Sequence, residues 1–178
     1  MNEEHARLLG RVDAHFERTR ARHPDALRCA PGCSACCRLH LALLPLEALA
    51  IEHAVMALPP SRRAQVARQA AALEQGTSDT LCPLVLQGRC SVYAQRPLIC
   101  RTHGLPLRFG DSVEVCSLNF TEGDPPADAL VDAEAVNDEL VALDYLVRRE
   151  RAVPMSITEV VRRAVGGSGW KEKRAGCQ

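Results

Sequence analysis

Residues 29–37 read C-A-P-G-C-S-A-C-C, which puts Cys29, Cys33, Cys36 and Cys37 within nine residues. Cys82, Cys90, Cys100 and Cys116 follow, and a ninth cysteine stands at Cys177. Zinc and iron–sulfur sites take thiolates grouped in this way, whereas a disulfide scaffold usually belongs to a small secreted domain. Cysteine also serves as a plain buried small residue. A loop containing Pro31-Gly32, a strong turn signal, is a poor place for four inert core thiols. The fold is therefore expected to form around metal-binding loops.

The remainder of the chain fits that frame. Hydrophobic residues make up 47% of the 178 and aromatics only 3%, so the core must be aliphatic. Twenty-two basic and 22 acidic residues cancel, giving no electrostatic footprint of a nucleic-acid binder. The start, M-N-E-E-H-A-R-L-L-G, does not read as a secretory signal. The most apolar stretch, Leu39 to Leu58, is broken by His40, Pro45, Glu47, Glu52 and His53 and does not read as a membrane span. The expectation is a cytoplasmic protein, in a reducing compartment where thiols stay free for metal.

Working outward from the cysteines, residues 3–22 predict a helix, with Leu8, Val12 and Phe16 on one stripe. Pro45 suits the first turn of a helix to about Leu58. Ser61 is expected to cap another through Glu74, and the two to form an antiparallel hairpin. Leu105–Phe109 and Val113–Cys116 flank Gly110-Asp111 as two short strands. Asp128 to Arg151 predicts a long helix, and residues 156–164 a short one with Ser156 as cap and Glu159 at the matching box position. The fold class expected is mainly α. A small single domain over 1–165 packs helices around the cysteine loops, with one short β-hairpin, and 166–178 forms a flexible tail.

The full spacing is C-x3-C-x2-C-C, then C-P-x6-C-x9-C-x15-C. Cys36 and Cys37 are adjacent, so their side chains are expected to diverge toward different sites. Eight thiolates can make one dinuclear assembly, two four-thiolate ions, or a cluster beside an ion. The run C-P-L-V-L-Q-G-R-C-S-V-Y-A-Q-R-P-L-I-C-R interleaves cysteines with Gly88, Tyr93, Arg96, Pro97 and Arg101. With the first group, it makes residues 25–120 resemble the YkgJ-type CxxCxxCC cysteine-cluster family, described as zinc- or iron-chelating. The resemblance implies metal or cluster ligands at Cys29, Cys33, Cys36, Cys37, Cys82, Cys90, Cys100 and Cys116, rather than any particular catalysis. The first interval is three residues where the family name implies two, so Cys29 departs from the pattern.

Zinc and iron–sulfur clusters both accept four sulfurs, and the dense x3 and x2 intervals favour an iron–sulfur cluster such as [4Fe–4S]. Cys29, Cys33 and Cys36 also match the C-x3-C-x2-C spacing of radical S-adenosylmethionine enzymes, but the chain lacks their repeated βα pattern. A distant resemblance of the family to flagellin-lysine methylating proteins keeps methyl transfer in view. The alternatives to a metal-binding protein are thus a metal-dependent oxidoreductase or methyl-transfer enzyme, and a metal-handling interaction module using Cys177 in a basic tail. The partner expected is the metal or cluster, with no membrane.

Arg28, Arg38, Arg89, Arg96 and Arg101 are candidates to offset thiolate charge. Arg96 and Arg101 are expected to donate hydrogen bonds to sulfur or to hold the loop through backbone carbonyls, in preference to binding a substrate. Tyr93 is expected to pack between loop and helix, and Asn137 to tie the long helix to a loop or face solvent. His40 and His53 are expected to be structural histidines in apolar surroundings, His103 a loop histidine with an ordinary partner, and His5, His15 and His23 solvent-facing. No phosphate loop, H-E-x-x-H, G-x-S-x-G or dinucleotide pattern is present.

Overall fold

The computed structural model describes residues 2–30, 32–76 and 82–166. The first apolar stripe becomes helix α1, Glu3–Arg22. The Asn2 side chain caps it by accepting the N–H groups of Glu4 and His5, donors that a first turn leaves unpaired. The cysteine loop follows and closes in a 3-10 turn, Ala35–Arg38. Next come β1 (Ala42–Leu43), α2 (Pro45–Met56) and α3 (Pro60–Glu74). Pro45 and Pro60 each open their helix at its first position, where a missing N–H costs nothing. Pro59, not Ser61, occupies the cap of α3, and Ser61 lies inside the first turn.

A two-stranded hairpin, β2 (Val85–Leu86) and β3 (Arg89–Cys90), precedes the short helix α4 (Leu98–Thr102). Then β4 (Leu107–Phe109) and β5 (Ser112–Glu114) form the expected antiparallel pair, with Pro106 just before the strand. The predicted helix from Asp128 starts later. Ala127–Ala129 is a 3-10 turn, and β6 (Val131–Asp132) adds to β4 in parallel before α5, Ala133–Arg148, begins. The chain closes with β7 (Met155–Ser156) and α6 (Ile157–Val165). Ser156 caps α6 by accepting the Glu159 N–H, as its sequence implies. The expected tail beyond residue 166 lies outside the described residues, as does Cys177.

Mainly α is therefore the fold class, with six α-helices and short strands among the described residues. The expected α2–α3 hairpin is organised differently: both helices pack chiefly on α6. Leu43, Ile51, Val55, Val66, Val160 and Val161 fill the resulting aliphatic core. Each is fully buried. β7 pairs with β1 antiparallel, Ala42 opposite Ser156, which seats α6 on that core. A second cluster joins Leu8, Leu9 and Val12 of α1 to Leu98 and Leu140, and a third holds Leu27, Leu105 and Val131. No helix among the described residues is long and apolar enough to cross a membrane.

Candidate metal centre

All eight cysteines from Cys29 to Cys116 are free thiols. Cys33 is exposed and the other seven are partly buried. They reach their places from separate elements. Cys36 and Cys37 sit in the 3-10 turn, Cys82 precedes β2, Cys90 ends β3, Cys100 lies in α4 and Cys116 follows β5. The Cys82 N–H donates to the Cys37 carbonyl at 2.5 Å, which joins the first cysteine loop to the second. The β2–β3 pairing sets Cys90 opposite Val85, and the Val85 N–H bonds back to the Cys82 carbonyl at 3.0 Å. Tight turning there needs positive φ at Gln87 and Gly88.

The sulfurs behave as acceptors. The backbone amides of Leu84 and Val92 act to lower the pKa of Cys82 and Cys90, against burial. Asn119 Nδ2 donates to Cys29 Sγ at 3.2 Å. Such bonds favour the thiolate, the form that ligates metal. Burial works the other way. It pushes Cys82 up to about 11 and Cys100 up to about 12, and raises Cys29 and Cys90. Without a cation these thiols keep their protons at neutral pH, so binding a metal must release them.

Cys36 and Cys37, expected to diverge toward different sites, act on each other. The Cys37 thiol bonds to the Cys36 sulfur, which lowers the Cys36 pKa and raises that of Cys37. The sulfurs also feel one another's charge in a pattern. Cys36 is the common neighbour: its charge acts on Cys29, Cys37, Cys82, Cys90 and Cys100 alike, while Cys29 also senses Cys33 and Cys116. Among the described residues, no three His, Cys, Asp or Glu side chains are placed where they could together hold a metal ion. Soft donors, free thiols and an N–H group aimed at sulfur nevertheless fit a thiophilic metal or cluster. A small cleft of about 50 Å³ opens beside Cys37 and Cys82, lined also by Arg38, His40 and Ile157. It has room for a few waters, far below the volume of an ordinary organic-cofactor pocket.

A carboxylate network fixes the support. Glu47 of α2 is buried, and its Oε1 accepts the N–H of Leu98, the first residue of α4, at 2.6 Å. Burial pushes Glu47 up to about 7. Arg101, nearly buried, donates from Nε to the Arg96 carbonyl at 2.8 Å and from Nη2 to the Ala94 carbonyl at 2.7 Å. It also pairs with Asp13 of α1, as does Arg96 at 3.0 Å. Arg96 Nη1 also donates to the Tyr93 carbonyl at 3.3 Å, so both arginines hold the loop through carbonyls, one of the two roles their sequence setting implies. Arg96 also acts electrostatically on Cys90. Asp144 of α5, fully buried, accepts the Leu46 N–H at 2.7 Å.

Other polar expectations change. His5 is buried, while His40 and His53 are exposed. His15 is half-buried against the Ala129 carbonyl, and His23 meets Asp128. Tyr93 is exposed with the Arg96 guanidinium 4.1 Å above its ring, rather than packed between loop and helix. Asn137 is exposed, the solvent alternative of the sequence reading. His103 is half-buried, and burial lowers its pKa. Asn119 and Gly104, which the sequence did not single out, both touch Cys29. An amide three residues after Cys116, in C-S-L-N, was the one available signal.

Free, partly buried sulfurs on loops braced by a mainly α scaffold define a cysteine-cluster domain. The chain belongs to the CxxCxxCC family, a "putative zinc- or iron-chelating domain", whose description matches residues 28–117. No curated protein and no solved structure matches it.

Proposed function

We propose that this is a cytoplasmic metal-chelating protein that holds an iron–sulfur cluster, zinc, or both through Cys29, Cys33, Cys36, Cys37, Cys82, Cys90, Cys100 and Cys116. The observation that carries the reading is the run of eight free thiols on linked loops, with Asn119 Nδ2 donating to Cys29 Sγ at 3.2 Å. Thiols kept only for packing have no need of such a donor. The C-x3-C-x2-C-C spacing supports the iron–sulfur form. Bound, zinc would cross-link the loops and a cluster would add electron transfer.

The chain's own contribution is positional. The Cys37–Cys82 backbone bond and the β2–β3 hairpin hold sulfurs from two loops together. Glu47 and Arg101 fix the helix that carries Cys100. Anaerobic purification with elemental analysis, sulfide assay and visible absorption tests the reading. Iron with sulfide, or zinc, is the expected result. A folded protein with free thiols and neither metal would overturn it.

A further inference from the structure

Two buried polar side chains of the scaffold play no part in holding sulfur. His5 of α1 is 1% exposed and Asp144 of α5 is fully buried. Neither ring nitrogen of His5 has a hydrogen-bond partner among the described residues, and neither has Asp144 Oδ2. Polar atoms withdrawn from water are normally paired, because leaving them unpaired costs their full desolvation.

The register of the two helices sets these groups level with each other. Arg11 pairs with Glu139, and Arg22 with Asp128 at 3.1 Å, so α5 runs antiparallel to α1. His5 lies six residues before Arg11, and Asp144 five residues after Glu139. At helical rise these are displacements of about 9 Å and about 7.5 Å in the same direction. The apolar layer beside them is shared. Leu8 and Leu9, about a turn from His5, pack with Leu140, about a turn from Asp144.

Asp144 already has one task. Its Oδ1 accepts the Leu46 N–H at 2.7 Å, at the start of a helix whose N-cap, Leu44, offers no side-chain oxygen. Oδ2 is its unused acceptor. Burial and the Arg101 guanidinium lower the His5 pKa, so the ring is neutral at pH 7, with one N–H to give and one lone pair to fill. A bare cation would leave that N–H unpaired, and an anion would meet the carboxylate. Water both gives and takes, and buried waters settle where such atoms would otherwise stay unpaired.

We infer that His5 and Asp144 hold one buried water molecule between α1 and α5, which donates to Asp144 Oδ2 and bonds to a ring nitrogen of His5. The site joins α1 to the carboxylate that caps α2. The cap falls one residue before Glu47, which in turn holds the first amide of α4. The inference stands apart from whether the thiols hold metal.

A high-resolution crystal structure of the full-length protein tests it. One water within about 2.7–3.2 Å of both Asp144 Oδ2 and a His5 ring nitrogen is expected. His5 bonded directly to Asp144, or a junction without water, would overturn it. Denaturant unfolding of full-length variants gives a second reading. His5→Phe keeps a ring but removes both nitrogens, and should raise the unfolding equilibrium constant about tenfold. His5→Gln can still bond to the water and should raise it less. A His5→Phe protein as stable as wild type, or no less stable than His5→Gln, would show a dry junction and overturn the inference.

Discussion

Cys82 and Cys90 lean on the aliphatic core of α2, α3 and α6, whereas Cys29 hangs from a loop secured by one amide. In the first region sulfur is an extension of hydrophobic packing, and disturbance there reaches Val92, Leu84 and the helices beyond. In the second, polar contacts do the positioning and a few hydrogen bonds carry the geometry. The same ligand chemistry is thus mounted once on a nonpolar support and once on a polar one. The first should couple tightly to global stability and the second weakly.

The largest effect expected is on the packed side. Cys100→Ser should lower the unfolding free energy of the metal-loaded protein by about 3 kcal/mol, since it removes a soft ligand and leaves a hydroxyl in a desolvated place. Denaturant unfolding with and without chelator measures it, and a chelator-treated wild type should resemble the variant. If the variant unfolds like the loaded wild type, the packed side does not couple metal to folding.

Gly104→Ala attacks the polar side. It introduces a Cβ against Cys29 Sγ at a backbone conformation that L side chains avoid. A stability loss of about 1–3 kcal/mol is expected, together with loss of metal from the Cys29 group alone. Metal analysis of the folded variant checks the selectivity, and wild-type metal content would remove the contrast between the regions.

Glu47→Gln sharpens the account of the anchor between α2 and α4. The buried Glu47 carboxyl is raised from 4.5 to about 7 in the folded state. Its contribution to stability is therefore fully present below about pH 4.5 and is lost as pH rises through about 7. Glutamine keeps an oxygen acceptor for the Leu98 N–H and removes the charge. The variant's stability relative to wild type should rise across that window and level off above it. Thermal unfolding from pH 4 to pH 8 reads the difference, and parallel curves would show that the carboxyl does not titrate there.

The smallest effect belongs to the edge of the packed side. Ser156→Ala deletes the oxygen that accepts the Glu159 N–H at the start of α6. A loss of about 1 kcal/mol is expected, with metal content unchanged. A concurrent loss of metal would mean that α6 and the cysteine loops are more strongly coupled than their packing implies.

The helices were legible because their signals are local. Leu8 and Val12 mark the inner face of α1, Pro45 marks the start of α2, and Ser156 with Glu159 marks the start of α6. The β1–β7 and β4–β6 pairs were not legible, because each joins very short strands distant in sequence. Such pairs are chosen by tertiary closure, which periodicity does not record. The cysteine set was conspicuous in the sequence, but the support of Cys29 was not. That depends on Asn119 and Gly104, an amide and an absent side chain with no spacing rule of their own.

The histidines show how a residue's face outweighs its neighbours in sequence. His5 lies one turn before Leu8 and Leu9 and shares their buried face. His53 lies in a largely apolar stretch yet points away from the face of Ile51 and Val55. Glu47 offered a signal that the sequence reading left unused. A carboxylate near the start of so apolar a helix has to find a donor, and it found the first amide of α4.

The pairing of residues 42–43 with 155–156 sets the order of assembly against the order of synthesis. A ribosome releases all eight cysteines of the two groups before it makes α6, the helix that covers α2 and α3. During that interval the nascent chain presents its thiols without a finished core beneath them. Long-range closure of this kind is slow compared with helix formation. Metal encountered at that stage would meet sulfur with no finished core beneath it.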